Sequence, residues 1–223
     1  MNWWHEVQWL IRREAVQEWR QRAAFNGLLL YVSGATYICY LSVGTQAGSV
    51  PVPTWNALFW LILLFSALNA AQKSFGQETP GRLLYLHTLV RPEALIVAKM
   101  LYNAALLLAL ALLAFGAFAL VLGNPVADVP LFLAALGLGA TGFAASLTLM
   151  SGIAAKAAHS AALLAVLAFP VLIPQLLLLL RISKNALDGL DRAVSTGPLL
   201  SIVAVNVIVA TLAVVLFPYL WKS

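Results

Sequence analysis

The chain has 223 residues, of which 62% are hydrophobic and only 9% are charged, and its formal net charge is +5. Soluble domains carry about a quarter charged residues, so this composition excludes a water-soluble enzyme, and the apolar content excludes a disordered chain. The positive charge therefore indicates the basic cytoplasmic loops of a membrane protein rather than nucleic-acid binding. The single cysteine, Cys39, allows no intrachain disulfide.

The first 22 residues are predicted to form a separate amphipathic helix. At helical spacing Val7, Leu10 and Ile11 lie on one side with several tryptophans, whereas Arg12 and Arg13 lie on the other. Such a segment, rich in tryptophan, is typical of a helix lying in the membrane interface. Residues 1–22 are therefore interpreted as an interfacial anchor, although Glu14 and Glu18 fall on its apolar side.

The rest of the chain, residues 23–223, is predicted to be one permease domain of six transmembrane helices. Each long stretch without charged residues holds one span of about 20 residues, and the stretch from Arg22 to Lys73 holds two because residues 44–53 are rich in glycine and proline. The fold class is thus an all-α integral membrane protein. The expected spans are 24–43, 55–72, 95–122, 130–154, 160–181 and 198–220.

The distribution of basic residues predicts the orientation. With six spans, ten of the 13 Lys and Arg residues fall on the side that holds both termini, and only Arg181, Lys184 and Arg192 fall on the other. The positive-inside rule therefore places both termini in the cytoplasm. The segment 181–197 is the weak point of this assignment because it is basic.

The cytoplasmic loop of residues 73–94 is predicted to carry a docking helix. After the turn at Pro80 and Gly81, the chain can form a short helix that ends before Pro92, which begins the next span with Glu93 in its first turn. This helix is too apolar to remain in water, which indicates a protein contact; a re-entrant helix is the alternative. The candidate contact residues are Glu78, Gly81, Arg82, Leu83, Tyr85, Leu86, Leu89 and Val90.

The predicted spans are not expected to contain the groups that would drive transport. No ionisable residue is expected inside them, whereas carriers driven by ion gradients use buried charges, and no Walker A motif is present. Energy must therefore come from another chain. We expect no catalytic residue and no metal site, since His5, His87 and His159 are far apart in the sequence.

Two features inside the spans concern helix geometry. The match to G-x-G-x-x-G at residues 137–142 lies in an apolar span, so Gly142 and Ser146 are interpreted as helix-packing residues rather than a dinucleotide site. Pro170 and Pro174 lie one turn apart and suggest either a hinge or a fixed kink.

These features resemble one known family. The loop starting at Lys73 (KSFGQE), the segment 91–94 (RPEA) before Ala98 and Lys99, the segment 169–174 (FPVLIP) and the tail 217–220 (FPYL) occur in an order similar to that of the haem exporter protein B family, CcmB. The resemblance covers nearly the full length.

The resemblance implies a membrane subunit of an ATP-binding-cassette complex used in cytochrome c maturation, in the inner membrane of a bacterium. Its implied partners are a cytoplasmic ATPase subunit similar to CcmA, membrane subunits similar to CcmC and CcmD, and a periplasmic haem chaperone similar to CcmE. Haem would be cargo rather than a bound cofactor, and ATP would be bound by the partner. The docking loop of the family would correspond to residues 78–90.

Other functions remain open at this stage. The chain could be an exporter permease for a lipid or another amphipath, or a scaffold that holds an assembly complex together without transporting anything. A membrane enzyme is the weakest candidate because no cluster of acid, base or metal ligands is expected within the membrane. Pairing with itself, as a homodimer, or with another subunit is expected of a six-span chain.

Overall fold

The computed structural model describes residues 3–20, 22–44, 50–76, 90–156 and 161–222, and nearly all of them are helical. We number the α-helices of these ranges α1 to α7, and a π-helical turn at Tyr40–Gly44 follows α2, while a 3-10 turn at Arg192–Ser195 precedes α7. The helices are α1 (Trp3–Arg20), α2 (Arg22–Cys39), α3 (Val52–Gly76), α4 (Pro92–Val121), α5 (Val129–Lys156), α6 (Ala161–Leu187) and α7 (Thr196–Lys222).

Five of these helices are long and apolar enough to cross a membrane. The stretches are Val52–Gln72, Pro92–Val121, Val129–Ala155, Leu163–Leu187 and Arg192–Leu220. They correspond to the last five predicted spans, so the chain is a multi-pass, all-helical membrane protein. The first predicted span corresponds to α2 and the π-turn, where the apolar stretch found among the described residues is Leu29–Ser42. The sixth crossing therefore stays a prediction.

Individual residues fix the start of α4, the start of α5 and the end of α6. Pro92 begins α4 as predicted, with Arg91 in an extended conformation before it and the amide of Leu95 bonded to the Arg91 carbonyl at 3.1 Å. The carboxylate of Asp128 accepts from the amide of Leu131 at 3.2 Å, just where α5 begins. Gly189 has a φ of 64° directly after α6, a conformation that glycine adopts without strain.

The helix α5 is the centre of the bundle. In its most apolar stretch 72% of the residues are buried, against 17% in α7. It contacts α3, α4, α6 and α7. The bundle thus has two ends: the α1 end, where α3, α5 and α7 finish and α4 starts, and the far end, where α4 and α6 finish.

Aromatic rings fill the bundle near the far end. Trp55 and Phe59 of α3 stack at 5.4 Å, and Phe118 of α4 and Phe132 of α5 each lie within 6 Å of both rings. All four side chains are at most 1% exposed. Since each such ring buries about 150–250 Å², this cluster fixes α3, α4 and α5 against one another.

Candidate functional site

The start of α4 directly follows the predicted docking segment in the sequence. Val90, the last residue of that segment, is half-buried and packs against the cluster formed by α1, α4 and α7. The other candidate contacts lie outside the described residues: Glu78, Gly81, Arg82, Leu83, Tyr85, Leu86 and Leu89. From Val90 the chain continues through Arg91 directly into α4, which begins at Pro92.

The first helix, α1, packs against this start of α4. Val7 and Leu10 are at most 1% exposed and belong to the same cluster as Leu95 and Ile96 of α4 and Phe217 of α7. An interfacial anchor in contact only with lipid would leave these side chains at a surface. The interpretation of α1 as a simple anchor is therefore incomplete, because one face of the helix is part of the bundle core.

The outward face of α1 is also apolar in part. Trp4 is 62% exposed and Trp9 is 51% exposed. Helical spacing predicts that Trp4 lies on the same side of the helix as Val7 and Leu10. In the structure Val7 and Leu10 are buried, whereas Trp4 is exposed on the outer side. Tryptophan in this position suits the headgroup region of a bilayer, where the ring is apolar and its N–H is polar.

A buried ion pair joins α1 to α4. The Lys99 ammonium donates to Glu14 Oε1 at 3.1 Å, and the Lys99 side chain is 1% exposed. The expectation that no ionisable residue lies inside a span is thus wrong at this position. Lys99 is seven residues into α4, and it is tolerated there because a carboxylate from another helix compensates its charge. The same pairing explains why Glu14 lies on the apolar side of α1.

A second carboxylate lies on the inner face of α1. Glu6 is 7% exposed, and its Oε2 atom has no hydrogen-bond partner within the described ranges. Buried oxygen atoms are nearly always paired. The inner face of α1 therefore carries acidic groups at Glu6 and Glu14, of which Glu14 has a described partner in α4.

Hydrogen bonds lead from the start of α4 into α5. Asn103, one turn after Lys99, donates to the hydroxyl of Thr148 at 2.8 Å, and both residues are buried. Further along α5, the hydroxyl of Ser151 donates to the Ala71 carbonyl of α3 at 2.8 Å. Inside an apolar bundle such bonds fix the register of neighbouring helices, because slippage would leave the groups unpaired.

The connection continues from α5 to α6. Ser146 and Gln175 lie 3.0–3.2 Å apart, and both are 0% exposed. Gln175 directly follows Pro174. Buried hydrogen bonds therefore join α4 to α5 at Asn103, and α5 to α6 beside Pro174.

Pro170 and Pro174 lie inside a single helix, Ala161–Leu187, on its exposed face. Each proline lacks the N–H that would bond to the carbonyl four residues earlier. The helix continues past both, and Gln175 on the opposite face is bonded to α5. The two prolines therefore stand apart from the packed core, and a hinge at this place stays a prediction.

Glycines let two helices approach α5 closely. A Cβ at Gly142 would overlap the amide oxygen of Asn206 in α7, and a Cβ at Gly139 would lie 2.8 Å from the Trp60 ring of α3. Gly137 has open space around its Cβ position. The G-x-G-x-x-G match thus lies within a helix, where Gly139 and Gly142 face different neighbours.

Sequence reasoning missed the buried amides. Asn56 of α3 donates to the Leu180 carbonyl at 3.0 Å and accepts from Ser183 at 2.8 Å, and Trp60 donates to the same serine at 2.8 Å. The available signal was an isolated asparagine in an apolar run, as at Asn103, since an amide in lipid needs a partner.

The described ranges contain no group of three His, Cys, Asp or Glu residues that could hold a metal ion. At the far end, the carboxylate of Asp128 accepts two hydrogen bonds from Arg192, at 2.6 and 2.9 Å. These bonds hold the pKa of Asp128 below its usual range. The pair ties the start of α5 to the turn before α7.

One family model matches nearly the whole chain. It is the model described as CcmB protein, and it matches residues 5–216. The match includes α1 and all five apolar helices. No curated protein and no solved structure matches the chain.

Proposed function

Because the chain belongs to the CcmB family and is thus a permease subunit of a haem exporter complex, we propose that it acts in the release of a haem-loaded chaperone during cytochrome c maturation. The observation that carries the proposal is the family match across residues 5–216, which includes the helices that surround α5. Haem is the cargo of the complex in this proposal, and ATP is bound by a partner.

The proposed complex contains further subunits. A cytoplasmic ATPase similar to CcmA supplies energy, and membrane subunits similar to CcmC and CcmD handle haem with a periplasmic chaperone similar to CcmE. Two copies of the chain form the membrane part. The protein lies in the bacterial inner membrane with both termini in the cytoplasm, so that the α1 end faces the ATPase.

The α1 end is where ATPase movement enters the bundle. In the proposed mechanism the ATPase holds the docking segment, residues 78–90, and moves the start of α4. Because α1 is packed on α4 and paired with it through Lys99 and Glu14, the two helices move as one body. The hydrogen bonds of Asn103 and Gln175 then carry the displacement to α5 and α6.

The docking step is tested by replacing Leu83, Leu86 and Leu89 with glutamate in a tagged chain. We expect the ATPase subunit to be lost from the purified complex, because carboxylates in the contact would need desolvation without a partner. The matched control places glutamate at Leu190 and Val194, which are exposed apolar residues at the far end. This variant should leave the ATPase bound. Retention of the ATPase by the triple variant would refute the docking assignment.

The function itself is tested by deleting the gene in its host and staining for covalent haem. We expect c-type cytochromes to disappear and to return when the gene is supplied on a plasmid. Normal c-type cytochromes in the deletion strain would contradict the proposal. ATPase activity that stays unchanged when crosslinks lock α6 around Pro170 and Pro174 would favour a scaffold, because a scaffold needs no hinge.

A further inference from the structure

Two basic side chains lie on the outward face of α6 near the far end. Arg181 and Lys184 are exposed, whereas Ile182 and Ser183 between them are buried against the bundle. Neither forms an ion pair within the described part of the chain, and the exposed Asp188 lies beyond them toward the helix end. The third basic residue of this end, Arg192, is already paired with Asp128.

Arg181 lies closer to the middle of the bundle than the far end does. The amide of Asp128, where α5 begins, bonds to the carbonyl of Ala186 at 2.8 Å, so these two residues mark one level. Arg181 is five residues deeper along α6, which is about 7 Å at the helical rise of 1.5 Å per residue. A guanidinium at that depth on a lipid-facing surface is costly unless an anion meets it or the side chain reaches the interface.

The surface below Arg181 is apolar and continuous. Leu177 is 61% exposed and Ile173 is 49% exposed, and both lie on the same stripe of α6 as Arg181 at helical spacing. The face thus presents cations at one level and an apolar strip toward the middle of the bilayer. A phospholipid presents its phosphate and its acyl chain in that same order.

We propose that Arg181 and Lys184 bind the phosphate of a phospholipid, whose acyl chain lies along Ile173 and Leu177. Side chains three residues apart on a helix have Cβ atoms about 5–6 Å apart, so one phosphate can accept from both. The arginine fork matches two phosphate oxygens, and the lysine adds a compact charge. The site also explains why basic residues persist at the end that the positive-inside rule disfavours.

The test places a photo-crosslinking residue at the apolar part of the site. Leu177→p-benzoylphenylalanine in the full chain is reconstituted with either phosphatidylglycerol or diacylglycerol of the same chains, and adducts are counted by mass spectrometry. The matched control is Val207→p-benzoylphenylalanine on α7, which is 59% exposed and has no charged residue near it in the sequence. We expect at least a tenfold higher yield of phosphatidylglycerol adduct at Leu177 than at Val207, and no such preference with diacylglycerol.

The second part of the test removes the positive charges of Arg181 and Lys184. R181Q/K184Q should lower the phosphatidylglycerol adduct at Leu177 to the level of the Val207 control, and R181K/K184R should keep most of it. The comparison of the two lipids on the otherwise unchanged chain stands even if the charge variant does not fold. Equal yields from both lipids, or an adduct with a protein chain in place of lipid, would overturn the proposal.

Discussion

The ammonium of Lys99 and the carboxylate of Glu14 lie 3.1 Å apart and join two helices that are 85 residues apart in sequence. The pair lies where α1 covers the start of α4, directly after the segment that we propose as the ATPase contact. Its position makes α1 a structural part of the bundle rather than an appendage. The first prediction concerns the contribution of this ion pair to the free energy of unfolding.

Glu14→Gln removes the carboxylate that accepts from Lys99 at 3.1 Å and so weakens the charge compensation of this buried cation. We expect a loss of about 3–5 kcal/mol in the free energy of unfolding, as is typical when one member of a buried pair is removed. Reversible unfolding in mixed detergent micelles, followed by helical circular dichroism, measures the loss. The double variant E14Q/K99M should recover most of it, because the buried cation is then removed together with its carboxylate partner.

Glu93→Gln is the matched control for this measurement. Glu93 lies in the first turn of the same helix and is only half-buried. Its carboxylate interacts with the helix dipole, so its removal should cost less than about 1 kcal/mol. Equal losses in E14Q and E93Q would show that the pair with Lys99 contributes nothing special.

The approach of α7 to α5 supports a second prediction. A methyl group at Gly142 would overlap the Asn206 amide, so Gly142→Ala should destabilise the bundle by about 1–3 kcal/mol, the usual range for overpacking. The G142A/N206A double variant should regain part of that loss because the obstructing amide is gone. Thermal unfolding of the purified protein measures both.

Gly137→Ala provides the comparison within the same helix. Since nothing lies within 4 Å of a Cβ at Gly137, the substitution should be neutral or stabilise by up to about 1 kcal/mol through helix propensity. If G137A and G142A behave alike, the close contact with Asn206 has no energetic weight.

Much of the architecture could be predicted from residues alone. Long apolar runs determined five spans, and the start of α4 at Pro92 followed from the geometry of proline in a first helical turn. These are local properties, so one sequence is sufficient to find them. The first predicted span, 24–43, contains polar residues such as Asn26 and Ser33, so its apolar run is a weaker signal than those of the other spans.

Tertiary pairings could not be predicted in the same way. In the sequence, Glu14 only interrupts the apolar side of α1, and nothing local indicates that its partner is Lys99. Likewise the partners of Asn103 and Gln175 lie on α5, far away in the sequence. Which helix faces which is decided by packing, and a polar residue in an apolar run signals only that some partner exists.

The bond between Ser146 and Gln175 carries a third prediction. A double-mutant cycle with Ser146→Ala and Gln175→Leu should give a coupling of about 0.5–2 kcal/mol, in line with hydrogen bonds between membrane helices. Each single variant leaves a buried polar group unpaired, so the double variant should be more stable than the sum predicts. Purely additive effects would contradict a direct bond.

A control for this cycle is Ser201→Ala on α7. The hydroxyl of Ser201 donates only to the Gly197 carbonyl of its own helix at 3.0 Å and is exposed. Its removal should change the free energy of unfolding by less than about 0.5 kcal/mol, as is usual for exposed sites. Combined with Gln175→Leu it should show no coupling, because the two residues share no contact.

The fourth prediction concerns pH and the far end of the bundle. Hydrogen bonds from Arg192 lower the pKa of Asp128 in the folded chain, so the carboxylate favours folding only while it is charged. Its contribution is complete above the unfolded value of about 3.9 and disappears as the pH falls through the lower folded value. The Tm of the wild type should therefore exceed that of Asp128→Asn at pH 7, and the difference should vanish in strong acid.

Asp188→Asn separates this effect from a general loss of acidic charge. Asp188 is exposed at the same end and forms no ion pair within the described ranges, so its substitution should give a Tm difference that is small at every pH. Asparagine at position 128 can still accept from the Leu131 amide, and hence the change isolates the charge that faces Arg192. A constant Tm difference between wild type and D128N from pH 7 down to strong acid would mean that the carboxylate contributes through shape or capping, and that the ion pair with Arg192 does not stabilise the far end.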